Sequence, residues 1–170
     1  MKIKELLNEL FNAVAPFRWT KSTKTHAMAK FNVGNIGYDV DFSAGLGHDW
    51  EFIFQSVTQR HVPISGGRTQ SMSQKSFKLT GTRNEFIVFA TVMKILGDFI
   101  AEYQPNSITW SADKSEESRI SLYHMLLTKF KPKLQGLGYN IESHASDRDF
   151  ASFRIVKTGS KAPDFDAYAA

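Results

Sequence analysis

The sequence predicts an α+β fold: a mixed, mostly antiparallel sheet with helices on its faces. Three observations lead there. Apolar and polar residues alternate strictly through Tyr38-Asp39-Val40-Asp41-Phe42 and again through Trp50, Phe52 and Phe54, the signature of half-buried strands. An apolar period of 3.6 residues then runs through 84–103 and marks an amphipathic helix. A strand, a second helix and a closing pair of strands follow it. The resulting order, α, β, β, β, β, α, β, α, β, β, is a meander continued by a βαβ unit and a hairpin.

The first element is a helix, because Ile3, Leu6, Leu7, Leu10, Phe11 and Val14 recur on one helical face and Pro16 ends it. Thr20 to Thr25 reads as a loop, and Phe17 and Trp19 read as a surface anchor for a partner. Residues 28–33, 38–42 and 50–57 are strands, separated by a turn at Gly34–Gly37 and a second at Ser43–Asp49. Residues 58–75 show no period and are rich in Ser, Gln, Gly and Arg, so they read as a long loop. Residues 76–80 are a fourth strand. The helix over 84–103 places Phe86, Phe89, Ala90, Met93, Leu96, Ile100 and Tyr103 on one face, and Pro105 follows its end. Residues 107–112 are a strand. A second helix starts near Glu116, with Asp113 as its cap, and is disturbed at its end by Pro132. Residues 139–143 and 150–157 form the closing hairpin. One domain, 1–157, and a loose tail, 158–170, account for the length.

Composition removes several classes of function. The 170 residues include no cysteine, so there is no disulfide framework, thiolate metal site or Cys nucleophile. The five histidines, at 26, 48, 61, 124 and 144, lack the spacing of a metal pair, and no metal is expected. No Gly-x-Ser-x-Gly elbow is present. No apolar run reaches a membrane span, and the opening MKIKELLNEL carries two glutamates where a signal peptide has a continuous apolar stretch. The net charge is +4, and the 21 basic and 17 acidic residues are interspersed. The longest basic cluster, Lys129, Lys131 and Lys133, complements a helix C-terminus, so nucleic acid is not an expected partner. Most of the 14 phenylalanines fall on strand or helix faces and belong to the core.

Two polar segments remain as candidate sites. At the turn Thr80–Glu85, Gly81, Thr82, Arg83 and Asn84 are disposed to hold a phosphate at a helix start. The same residues also read as a strand-to-helix turn capped by Thr82 and Glu85, which leaves only Arg83 without a role. The run from Ser111 to Arg119, with Ser111, Asp113, Lys114, Ser118 and Arg119, sits at the carboxyl end of a strand, where ligands bind in α/β sheets. It also reads as a capped helix start with Glu116 and Arg119 paired one turn apart.

The order of elements from Phe77 to Tyr139, together with Lys78-Leu79-Thr80-Gly81-Thr82-Arg83 before a helix, resembles the GCN5-related N-acetyltransferase (GNAT) family. In that family a Gln/Arg-x-x-Gly-x-Gly/Ala run opens a helix and its amides hold the pyrophosphate of acyl-CoA. The resemblance implies that Lys78, Gly81, Thr82, Arg83 and Asn84 would bind the cofactor, with Arg83 standing where the family has a small residue. Leu122-Tyr123 and Gly138-Tyr139 match the family's Leu-Tyr and Gly-aromatic pairs, set fifteen residues apart instead of about one helical turn. By analogy Tyr123 would protonate the departing thiolate, and Asp41 or Glu51 would be the base by position. The runs GTRNEFIVFATVMKILGDFI and ITWSADKSEESRISLYHMLLTKF also resemble a group of small proteins of tailed bacteriophages that carries no settled activity. That likeness implies a non-catalytic binding or virion-associated protein, located in the virion or the host cytoplasm and partnered by a virion component or host protein. No cofactor is required on this reading. The alternative, an acyl-CoA-dependent N-acyltransferase, would take acetyl-CoA.

Overall fold

A computed structural model describes residues 13–64, 68–76, 84–113, 117–144 and 150–160. Among these are eight strands and two helices. The strands are β1 (Phe17–Ser22), β2 (His26–Val33), β3 (Ile36–Ala44), β4 (Asp49–Ile64), β5 (Arg68–Ser76), β6 (Ser107–Asp113), β7 (Tyr139–His144) and β8 (Phe150–Lys157). The helices are α1 (Glu85–Tyr103) and α2 (Glu117–Gly136). The strands are hydrogen bonded in the order β1-β2-β3-β4-β6-β8-β7, and β5 lies off this path, paired to β4. β4 and β6 pair in parallel, and β1–β2, β4–β5, β6–β8 and β7–β8 pair antiparallel. The α+β class and the mixed, mostly antiparallel sheet are therefore as the sequence predicts.

The residues fall into two compact units. The first takes in the described residues up to Ser22, those of Ala27–Asp41 and those of Ile53–Ile95. The meander alternates here as expected, with Phe31, Tyr38 and Phe54 buried. Tyr38 stacks on Phe31 at 5.1 Å and on Phe54 at 5.6 Å, and Phe54 meets Phe89 of α1 at 6.2 Å. Thr91 is fully buried in α1; its Oγ1 donates to the Ile87 carbonyl and accepts from the Ala15 amide at 2.9 Å, tying the segment before β1 to the helix. Gly34 turns β2 into β3 at a φ of 63°, a conformation that a Cβ disfavours.

The second unit takes in Thr23–His26, Phe42–Phe52 and the described residues from Leu96 onward. Its core is aromatic. Phe42 stacks on Phe99 at 3.9 Å with the rings 3° apart, and Trp50 meets Phe99 and Tyr103 edge-on. Such contacts add about 0.5–1.5 kcal/mol beyond burial. Gln104, at a φ of 47°, and Pro105 end α1. Helix α2 runs through Pro132 without stopping, and Gly138, at a φ of 86°, supplies the left-handed residue after it.

Three expectations are corrected. Residues 20–22, expected in a loop, belong to a strand that starts at Phe17: Phe17 registers with Phe31 and Trp19 with Ala29 on β2. The apolar alternation there is short, and pairing with an existing strand edge decides it. Residues 58–64 and 68–75, expected in a long loop, are strand: β4 continues to Ile64 and pairs with β5 through nine registered pairs, from Ser56–Ser76 to Ile64–Arg68, and 65–67 lie outside the described residues. A ladder satisfies the backbone whatever the side chains, so a stretch polar at nearly every position pairs without alternation. Asp39, placed on a solvated strand face by alternation, is 5% exposed and ion-paired to Lys30 at 3.5 Å. The first helix, most of the strand at 76–80 and most of the tail lie outside the described residues.

Phe99 meets three rings of the aromatic core, Phe42, Trp50 and Tyr103. Phe99→Ala is expected to lower unfolding stability by about 3–5 kcal/mol in urea titration, whereas Leu46→Ala, at an exposed position, should change it by less than about 0.5 kcal/mol.

Candidate functional site

The carboxyl half of β6 and the helix that follows it carry Ser111, Asp113, Ser118, Arg119 and Tyr123 of the predicted sites. β6 is held from both sides. On one side Asp49, Trp50 and Glu51 of β4 register in parallel with Ser107, Ile108 and Thr109. On the other, all seven residues register with β8, from Ser107–Val156 to Asp113–Phe150. The start of the strand is pinned three times. Ser107 Oγ donates to Asp49 Oδ1 at 2.6 Å, the Asn106 amide donates to the His48 carbonyl at 2.7 Å, and the Tyr139 hydroxyl donates to the Pro105 carbonyl at 2.8 Å.

Alternation then turns Ile108 and Trp110 inward, while Ser111 is exposed. The Trp110 indole lies flat on Phe153, its registered partner on β8, at 5.7 Å. Phe52 approaches edge-on at 5.7 Å and Tyr123 of α2 at 6.5 Å. Tyr123 also sits edge-on to Phe153 at 5.6 Å, and His124 does so at 5.2 Å from the exposed side of α2. Trp110 is 6% exposed, and its Nε1 is the buried side-chain donor without an acceptor among the described residues. An orphaned buried N–H of this kind costs on the order of 1–3 kcal/mol. It is the feature that sequence reasoning missed, since periodicity assigns an indole to the core and is silent about its nitrogen.

Tyr123 is 7% exposed and forms part of this aromatic wall. Ser111 registers with Ser152, and Asp113 is the last residue of β6. Ser118 and Arg119 lie in the first turn of α2, and Lys114 falls outside the described residues. Lys78, Gly81, Thr82 and Arg83 also fall outside them. Asn84 is exposed and opens α1, its carbonyl accepting from the Val88 amide at 3.0 Å. Its side-chain nitrogen lies 3.7 Å from where a Cβ would stand on Gly34, so the helix start borders the β2–β3 turn. Of the two base candidates, Asp41 is half-buried and Glu51 is exposed.

Other polar groups in the second unit are committed to structure. Arg154, 9% exposed, makes a two-pronged contact with Glu142 Oε2 at 2.8 and 3.0 Å across the β7–β8 ladder, where the two residues register. No group of three or more His, Asp or Glu side chains able to hold a metal occurs among the described residues. No described helix is long and apolar enough to cross a membrane. In comparisons with protein-family models, with curated proteins and with solved structures, nothing matches this chain.

Burial raises the Tyr139 phenol above its ordinary value of 10.0. The fold therefore favours the protonated form. Its contribution is whole below about pH 10 and is lost as pH rises through the higher folded value. Tyr139→Phe should cost about 1 kcal/mol at pH 8, where the bond to Pro105 is intact. Urea titrations repeated toward about pH 11 should show the difference between wild type and variant shrinking.

Proposed function

We propose that this chain is a phage-encoded, non-catalytic binding or virion-associated protein on a GNAT-like scaffold. The scaffold reading draws support from topology. A meander is followed by a helical crossover, α1, into a strand parallel to β4; then α2 leads to a hairpin whose last strand, β8, pairs beside β6. The parallel register has three pairs, and both β4 and β6 continue past it. The likeness of the sequence rests on the element order from Phe77 to Tyr139; in the structure the described strand before α1 is β5, antiparallel to β4, and β6 pairs in parallel with β4.

The non-catalytic part rests on Tyr123. A general acid must reach the atom it protonates directly or through one water. Here the tyrosine that the family likeness nominates is walled in by Trp110 and Phe153 and contributes to the core. The partner in this reading is a virion component or a host protein, and the place of action is the virion or the host cytoplasm.

One observation favours the second reading, an acyl-CoA-dependent N-acyltransferase. The buried Trp110 Nε1–H lacks an acceptor among the described residues, and an acyl-CoA carbonyl or amide oxygen would satisfy it once the wall that covers Trp110 and Tyr123 opened. Lys78, Gly81, Thr82, Arg83 and Asn84 would then hold the pyrophosphate and Tyr123 would have to become accessible.

Calorimetric titration with acetyl-CoA separates the two. The non-catalytic reading expects no saturable heat, and Gly81→Asp and Tyr123→Phe should behave as wild type. Tight, saturable binding that is lost in Gly81→Asp would overturn it in favour of the transferase. Mass spectrometry of purified virions beside infected-cell extract would then tell a virion component from an intracellular one.

A further inference from the structure

The β4–β5 hairpin departs most from the sequence expectation, and its register reorganises the charge. A Cβ on Gly37 would stand 3.6 Å from the Val57 carbonyl oxygen, so β3 begins level with Val57. β4 runs on for Thr58–Ile64, and β5 is its partner there among the described residues. This is a two-stranded ribbon seven residues deep, or about 23 Å at about 3.3 Å per residue.

The whole-chain charge count hides a local asymmetry, of which the ribbon itself, from Thr58 to Ser76, carries three basic residues, Arg60, Arg68 and Lys75, and no acidic one. Between Phe52 and Asn84 stand five basic residues, Arg60, Arg68, Lys75, Lys78 and Arg83, and no Asp or Glu. The rest of the chain has sixteen basic and seventeen acidic residues, so the whole net charge of +4 resides on this stretch. Charge concentrated on one segment raises local potential in a way that the same charge dispersed does not. The ribbon is also free of aromatic residues: none occurs from Gln55 to Ser76 in a chain with 14 Phe, 5 Tyr and 3 Trp. Nine of its nineteen residues from Thr58 to Ser76 are Ser, Thr or Gln.

Registered residues of an antiparallel ladder share a face, and faces alternate along each strand. Arg60 registers with Met72 and Ile64 with Arg68. Arg60 and Arg68 therefore occupy the same ribbon face, on opposite strands, four register steps or about 13 Å apart. Lys75 registers with Val57, on the other face near the root.

We propose that the β4–β5 ribbon is an arm that binds duplex DNA, with Arg60 and Arg68 as phosphate contacts. The B-form major groove, about 12 Å wide, admits a two-stranded ribbon, whereas the A-form RNA groove is too narrow and deep. Arg, Ser, Thr and Gln are the residue types that bond phosphates and base edges. Single-strand binding is disfavoured by the absence of stacking aromatics, and a lipid surface by the absence of a continuous apolar face.

The test is fluorescence anisotropy of a labelled duplex of about 20 base pairs with the full chain, between about 50 and 200 mM salt. Saturable binding is expected, weakening as salt rises. R60Q/R68Q should weaken it at least about tenfold at the lowest salt and reduce the log–log salt slope by about 1.8, since each phosphate contact contributes about 0.9. K131Q/K133Q removes the same charge from two exposed positions in α2 and should change neither quantity. R60K/R68K should keep the salt slope. Far-ultraviolet circular dichroism checks folding, and the single variants R60Q and R68Q, each lowering the slope by about 0.9, serve if the double variant does not fold. Equal losses in R60Q/R68Q and K131Q/K133Q would overturn the proposal. So would absence of duplex binding, or a preference for single strands, for phosphatidylserine vesicles or for an acidic polypeptide over duplex.

Discussion

Three parallel backbone pairs, Asp49–Glu51 against Ser107–Thr109, are the constraint on which the second half of the chain depends. Two parallel strands cannot be joined by a tight turn; their connection has to travel back along the sheet, and a helix is the usual means. Here α1 makes that journey. Its apolar stripe has to find a cover at every turn, which explains why the strand residues facing it are so large. In the first unit Phe54 meets Phe89, and in the second Phe42 and Trp50 receive Phe99. The ladder is short, so side chains reinforce its start: the Ser107–Asp49 bond and the Tyr139 hydroxyl on the Pro105 carbonyl hold β6 where pairing begins.

The aromatic wall around Trp110 follows from the same strand. β6 pairs on both edges, so its inward residues lack room to turn aside and must be covered by α2 and β8. Tyr123 and Phe153 provide that cover with their ring edges and faces. An indole fits such a wall at the cost of its polar atom, and the unpartnered Nε1 is the result. A stability demand and a chemical opportunity thus coincide at one residue, which is why the two functional readings both pass through this end of β6.

Much of the fold was legible from periodicity. Alternation located β2, β3 and the first half of β4, and the 3.6-residue pattern located α1 within one residue of its start. Capping and turn residues located α2, β7 and β8. The misses share a cause. β1 and the β4–β5 ribbon are defined by backbone partners on another strand, and neither has enough apolar alternation to announce itself. Asp39 illustrates the converse: alternation gave its face, but its burial against Lys30 depends on a residue on β2. In the candidate site, Ser111 was visible within a polar run and Tyr123 was nominated by the family likeness alone, whereas the Trp110 nitrogen was not visible, because whether a buried donor finds an acceptor is a property of three-dimensional neighbours.

The sequence by itself determined the class of the fold, the order of its elements and the chemistries that are absent, since composition and local period depend only on residue type and spacing. It also contained the charge asymmetry of 52–84, although nothing in the linear chain marked that stretch as one object. Tertiary structure decided which strand lies beside which, that the polar stretch is a ribbon with Arg60 and Arg68 on one face, and that Tyr123 belongs to a wall. Those are matters of pairing and register between residues far apart in the chain, and a hydrogen-bond ladder accepts many side-chain patterns, so only the assembled backbone chooses among them.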